Sequence, residues 1–231
     1  MAKYNLFLNG ENHLHISCGN NKLGKGIHNI SLLPSDTPLC NKKGDQLVNI
    51  SGTCGGCCSE CKNNCYAVKT ALYHHNSCIP AWGDNTLLAR HNLEQFKREL
   101  LTYLDKNIVG AFRWHVSGEI PSRDYLEMML DVSRETPTTQ FYVYTKRYEW
   151  IEEVADRIPD NLHVTVSVWH SNYNNPCGFH EFIYDDGTED LESVYHCPAV
   201  DKNGRETGVT CAKCKRCIHA KKGEKTAVYA H

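Results

Sequence analysis

The sequence predicts an α/β fold, a partial (βα) TIM-like barrel with a cysteine-rich C-terminal extension. Three observations predict it. Strand-like and helix-like stretches alternate from Leu47 to Val168, the order that builds βαβ units on a parallel sheet. Polar residues stand at the end of each strand-like stretch, where a barrel of this type gathers its functional groups. Nine of the thirteen cysteines fall into two groups, Cys54 to Cys65 and Cys197 to Cys217. The expected organisation is a partial barrel with an irregular N-terminal arm over 1–195 and a cysteine-rich module over 196–231. Four clear strands and two weak ones suit a partial barrel; an open doubly wound sheet is the competing arrangement.

Residues 1–45 are rich in Asn, Gly and Lys and hold no long periodic pattern; Asn20 to Ile27 reads as a turn-rich arm, followed by Ile30-Ser-Leu-Leu-Pro34. Leu47 to Ser51 alternates like a strand and runs into the first cysteine group. Tyr66 to His74 is a good helix former. Asn85 to Leu104 predicts one long amphipathic helix, with Leu87, Leu88, Leu93, Phe96, Leu100 and Leu104 on its apolar face. Ala111 to Ser117 reads as a strand, and Pro121 opens a helix over 122–135, where its missing N–H costs nothing. A strand over 140–145, a helix over 148–157 closed by Pro159, and a strand over 162–168 follow. Phe179 to Tyr184 and Val194 to Cys197 predict two short strands joined by the acidic stretch Asp185 to Asp190.

Composition bounds the rest. The chain has 231 residues, 23% charged and 41% hydrophobic, with a formal net charge of −2, so no global field draws it to nucleic acid. Neither a run of the ~20 apolar residues that a membrane helix needs nor a signal-like leader occurs, and the expected location is the cytoplasm. Disulfides are disfavoured there, and thirteen is an odd number, so the clustered cysteines read as metal ligands. Cys18, Cys40, Cys78 and Cys177 stand apart and read as small buried hydrophobes. Neither G-x-G-x-x-G nor a Walker A sequence is present.

Cys54, Cys57, Cys58, Cys61 and Cys65 place five thiols within twelve residues. That density suits an iron–sulfur cluster wrapped by one loop, whereas zinc more often takes two separated Cys-x2-Cys pairs. Two registers are open, Cys54/Cys58/Cys61 and Cys57/Cys61/Cys65. In the second group Cys211, Cys214 and Cys217 form Cys-x2-Cys-x2-Cys, and Cys197 can supply a fourth thiolate. An iron–sulfur cluster is the first reading for this group. Zinc is the second, held by Cys197 with two of the three or with His196 or His219. Lys213, Lys215, Arg216, Lys221, Lys222 and Lys225 surround it, and read as a solvated tail, as positive charge beside a cluster, or as contacts to a nucleic-acid backbone.

At the other strand ends stand Ser117, Gly118 and Glu119, then Thr145, Lys146 and Arg147, then Ser167, Trp169 and His170. Each has a plainer reading. Glu119 also suits a helix N-terminus, Lys146 and Arg147 a solvated loop, and Trp169 a packing position.

A cysteine loop followed by Gly118-Glu119 at the next strand end resembles the radical SAM superfamily. Several segments further resemble a group of phage and plasmid proteins, the gene product eighty-eight family. They are Asn21-Lys-Leu-Gly-Lys-Gly-Ile27, Cys61-x3-Cys65-Tyr-Ala, Phe112-Arg-Trp-His-Val-Ser-Gly-Glu119, Tyr144-Thr-Lys146 and the cysteine-rich tail. The resemblance implies a TIM-like partial barrel in the host cytosol and a [4Fe-4S] cluster on the 54–65 loop. It also implies S-adenosylmethionine, cleaved reductively to start radical chemistry on an unknown substrate with a reductant such as flavodoxin or ferredoxin. Cofactor binding would fall on Ser117, Gly118, Glu119, Lys146 and Ser167, and a second cluster on the C-terminal cysteines. Five cysteines stand where that pattern needs three, and one glycine rather than two precedes Glu119. Two other classes compete: a zinc-stabilised nucleic-acid-binding module and a two-cluster electron-transfer protein without S-adenosylmethionine chemistry.

Overall fold

The computed structural model describes residues 12–35, 38–43, 46–55, 57–169 and 174–230, with the stretches 38–43 and 46–50 described by backbone alone. Eight strands lie in one open, mostly parallel sheet. They are β1 (Ile16–Ser17), β2 (Ile27–Ile30), β5 (Ala111–Trp114), β6 (Gln140–Thr145), β7 (Leu162–Val168), β8 (His180–Asp185), β9 (Tyr195–His196) and β10 (Lys225–Tyr229), in the order β1-β2-β5-β6-β7-β8-β10-β9. β1 runs antiparallel to β2, while the pairings from β5 to β9 are parallel. β3 (Pro38–Lys43) and β4 (Gln46–Ser51) form a separate antiparallel hairpin, Pro38 opposite Ser51. The helices are α1 (Ser59–Asn63), α2 (Tyr66–Tyr73), α3 (Cys78–His91), α4 (Leu93–Lys106), α5 (Arg123–Glu135), α6 (Tyr148–Glu153) and α7 (Cys211–Cys214), with a 3-10 turn over Arg216–His219.

Two compact units make up the chain. Unit 1 comprises 1–17, 29–108 and 115–136; unit 2 comprises 18–28, 109–114 and 137–231. In unit 1, Leu33, Ala71, Ile79 and Leu87 pack as one buried cluster with Trp82 against it. The ring of Phe96 on α4 meets Tyr125 on α5 edge-on at 5.2 Å. In unit 2, Phe112 and Trp114 alternate onto one face of β5 and meet Phe141 at 5.7 and 5.9 Å.

Several expected elements hold their residues: β6 and β7 span the predicted strands, and Ser122 caps α5 by accepting from the Tyr125 N–H at 3.1 Å. Other expectations are corrected. The long helix over 85–104 is two helices, because the Asn92 side chain accepts from the Gln95 N–H and starts α4 afresh. β5 stops at Trp114, three residues early, because His115 takes a left-handed φ of 52°. The helix after Lys146 ends at Glu153 rather than Arg157. The strand over 47–51 is β4 of the separate hairpin, and the sheet strand before the cysteine loop is β2. The arm is accordingly core, with Leu23, Ile27, Ile30, Leu32 and Leu33 all buried. The tail contributes β10, an inner strand between β8 and β9. Neither Cys18, Cys78 nor Cys177 is buried, so the expectation of core thiols fails for these three; the side chain of Cys40 and the residue His170 lie outside the described residues.

His180, 1% exposed, bridges β7 and β10 through Thr165 and Thr226, each at 2.9 Å. Burial, with the Arg216 cation as the second cause, holds its pKa down to about 4. A depressed pKa favours the neutral ring, so this contribution is complete above pH 6.5 and is lost as pH falls toward 4. Urea unfolding at pH 7, 5 and 4 should show an acid-dependent loss of stability. In His180→Gln, which keeps a donor and an acceptor but does not titrate, that loss should shrink by about 2–3 kcal/mol.

Candidate metal centres

The first centre lies in unit 1 and is built on the extension of β2. Beyond Ile30 the chain stays extended beside residues 115–117: the Val116 N–H donates to the Ile30 carbonyl at 3.1 Å and the Leu32 N–H to the Ser117 carbonyl at 2.9 Å. After the hairpin the chain returns to the same place. The Thr53 N–H donates to the Leu33 carbonyl at 2.9 Å and the Cys54 N–H to the Ser35 carbonyl at 3.1 Å. Gly52 allows this close return, since a Cβ there would stand 1.9 Å from the Pro34 carbonyl oxygen. Arg90 on α3 holds the same turn, donating to the Ser51 and Gly52 carbonyls at 2.7 and 2.8 Å.

Thr53 joins the cysteine loop to the Gly-Glu turn. Its buried hydroxyl donates to the Leu33 carbonyl at 3.1 Å and accepts from the Glu119 N–H at 2.8 Å. Gly118 has a φ of 85°, and a Cβ there would stand 2.8 Å from both Leu32 Cβ and Thr53 Oγ1. Glu119 is 9% exposed, and its Oε1 accepts from the Ile120 N–H at 2.8 Å. Ser117 donates its hydroxyl to the Leu32 carbonyl at 3.0 Å and belongs to the strand pairing.

Cys54 faces this turn. Burial first, then the Glu119 carboxylate, pushes its thiol up to about 12, with Cys57 and Cys65 adding to the rise. Cys58 is exposed and precedes α1; Cys61 sits within α1, half-buried. Cys65 precedes α2, whose Tyr66 hydroxyl donates to the Val116 carbonyl beside the Gly-Glu turn. The donor set is all thiol and comes from one short loop, which fits a thiophilic centre.

The second centre lies wholly in unit 2. Cys197, Cys211, Cys214 and Cys217 line one cavity of ≈ 30 Å³ together with Tyr142 and Tyr144 of β6. Cys197 follows β9, its N–H donating to the Ala227 carbonyl at 2.7 Å. α7 is pinned to the arm, the Cys211 and Ala212 N–H groups donating to the Lys22 and Leu23 carbonyls at 3.0 and 2.8 Å. Burial pushes the Cys217 thiol up to about 12, opposed by a hydrogen bond from Tyr144 and reinforced by the other three cysteines. Cys197 and Cys211 are also raised by burial. The Arg113 guanidinium lies 4.6 Å over the Tyr144 ring and lowers both.

His196 and His219 do not line this cavity. The His196 ring nitrogens meet the Val194 carbonyl and Asp185 Oδ2, each at 2.9 Å. Among the described residues no group of three or more Cys, His, Asp or Glu side chains is arranged to hold a metal ion. Three of the six tail cations meet groups of the fold: Arg216 lies 4.3 Å over Tyr195, Lys222 lies 5.9 Å from the Phe179 ring centroid, and Lys225 pairs with Glu181 at 3.0 Å.

Lys146 donates to Ser167 Oγ at 2.8 Å in unit 2, and the Tyr148 hydroxyl donates to the Ser167 carbonyl at 2.6 Å. Trp169 packs against Tyr184 at 4.3 Å. Thr53, Arg90 and Tyr142 escape a reading of the sequence. Thr53 and Arg90 act through backbone groups that the fold alone brings near, whereas Tyr142 and Tyr144 carry a signal, two hydroxyls on one face of a strand.

A model of the Gene product 88 family matches residues 14–220, and the chain belongs to that family. No curated protein and no solved structure matches it. No helix among the described residues is long and apolar enough to cross a membrane.

Thr53→Val should cost about 1–3 kcal/mol in urea unfolding, since it leaves the buried Glu119 N–H without its acceptor, while Thr53→Ser should recover most of that. Gly118→Ala should cost about 1–3 kcal/mol from left-handed strain and crowding, read as a lower Tm.

Proposed function

We propose that this member of the Gene product 88 family is an iron–sulfur enzyme that binds S-adenosylmethionine over the Cys54–Cys65 loop and cleaves it reductively. The observation that carries the reading is the Thr53 link, which sets the buried Glu119 carboxylate beside Cys54 on one rigid turn. The reading rests on unit 1 alone. Cysteines of the Cys54–Cys65 loop would hold a four-iron cluster. When bound, such a cluster supplies an electron and an iron open to an exogenous ligand. Glu119 is suited to accept hydrogen bonds from the cofactor's amino group, and Gly118 lets the turn lie against Leu32 and Thr53. A sheet curved as a partial (βα) barrel is part of this reading.

Anaerobically reconstituted protein, reduced with dithionite and given S-adenosylmethionine, should release methionine and 5′-deoxyadenosine, measured by chromatography. Glu119→Gln should bind S-adenosylmethionine roughly 10–100-fold more weakly, the worth of one charged hydrogen bond, with its iron content unchanged. Cluster-loaded protein that forms no 5′-deoxyadenosine would leave a redox protein without this chemistry. A colourless protein with zinc and no sulfide would point to the zinc-stabilised module.

A further inference from the structure

The cavity in unit 2 holds a buried hydroxyl that the reading of unit 1 does not use. Tyr142 is 0% exposed, its ring lines the four-cysteine cavity, and its hydroxyl has no hydrogen-bond partner among the described residues. A buried hydroxyl without a partner costs about 1–3 kcal/mol, so its retention beside four thiols calls for an acceptor in the cavity. Neighbouring groups share that bias toward negative charge. Tyr144, two residues along the same face of β6, donates to Cys217, and Arg113 lies over the Tyr144 ring. Pro198, Ala199, Val209 and Ile218 complete an apolar wall.

We propose that Cys197, Cys211, Cys214 and Cys217 ligate one thiophilic metal centre at all of its protein positions, and that Tyr142 is a positioning residue whose hydroxyl donates a hydrogen bond to a sulfur of that centre. On loading, each thiol gives up its proton to solvent and its sulfur takes up the metal bond, without change of oxidation state at sulfur. The four thiols come from separate places in the chain: Cys197 after β9, Cys211 and Cys214 on α7, and Cys217 in the 3-10 turn. Metal binding therefore cross-links β9 and the tail on β6. With four protein thiolates the centre has no position open to a substrate, so it holds structure or passes electrons. That separates it in role from the loop in unit 1, and the proposal stands or falls independently of S-adenosylmethionine chemistry. The shared chemistry is thiolate ligation; the Cys-x2-Cys-x2-Cys spacing favours an iron–sulfur cluster, and a lone zinc ion is the other source.

The test uses the full chain, purified anaerobically with iron, sulfide and zinc supplied, in three forms: wild type, a variant with Cys54, Cys57, Cys58, Cys61 and Cys65 changed to Ala, and Cys211→Ala/Cys217→Ala. The loop variant should keep one centre, either about four iron with four sulfide or about one zinc without sulfide, and the ratio tells the two apart. Should the loop variant not fold, the loss of that same amount from wild type to the Cys211→Ala/Cys217→Ala form carries the same information. No metal retained by the loop variant when folded, or no difference between wild type and the double variant, would overturn the centre. Tyr142→Phe should weaken metal retention against a chelator roughly 10–100-fold, while the metal-free variant unfolds no more easily than metal-free wild type. Equal retention in Tyr142→Phe and wild type would overturn the role of Tyr142, as would a metal-free variant that is itself destabilised, since the side chain would then be acting through packing alone.

Discussion

Unit 1 depends on one hydroxyl. Thr53 is buried where two returning segments meet, and its single oxygen both donates to the Leu33 carbonyl and accepts from the Glu119 N–H. Buried backbone groups require partners, and the hydroxyl satisfies the Glu119 N–H beside the backbone bonds that Thr53 and Cys54 already make to Leu33 and Ser35. The hydroxyl fixes the spacing between the cysteine loop and the Gly-Glu turn. Gly52 and Gly118 then follow as necessities, one because a Cβ would strike Pro34, the other because its φ is 85° and Leu32 lies against it.

The thiols share one physical situation in both centres. Burial dominates, and raises Cys54 and Cys217 alike. Half-buried neutral thiols pack as small hydrophobes, so the fold tolerates them. A metal must displace their protons, and the surroundings decide how readily that happens. In unit 2, Arg113 and Tyr144 oppose the rise; in unit 1, the Glu119 carboxylate adds to it. The two cysteine groups therefore differ electrostatically: a guanidinium and a hydroxyl act on thiols of unit 2, whereas a carboxylate acts on Cys54 in unit 1.

The alternation of apolar residues along Gln140–Thr145 and Leu162–Val168 made β6 and β7 legible, because a strand buried on both faces leaves a run of Val, Tyr and Phe with few alternatives. The same logic failed at the two ends of the chain. Ile27-His-Asn-Ile30 and Lys225-Thr-Ala-Val-Tyr229 are short, mixed and flanked by Lys, Gly or Asn, yet both enter the sheet. β10 pairs with β8 and β9, more than thirty residues upstream, and β2 pairs with a strand of only two residues, so no local pattern reports either. Asn92 shows a subtler loss, since its side chain interrupts an apolar face that is continuous on either side.

The sequence by itself determined which sulfurs exist, how densely they are spaced, and that Cys54–Cys65 and Cys197–Cys217 are separate sets. It also determined membership in the Gene product 88 family, through motifs spread over most of the chain. Only the tertiary structure decided that Glu119 acts on Cys54, that His196 is engaged by Asp185, and that Tyr142 lines the second cavity. The reason is physical. Ligand type is a property of single residues, whereas burial and hydrogen-bond partnership arise from long-range packing that brings residues 53 and 119, or 142 and 217, to the same place.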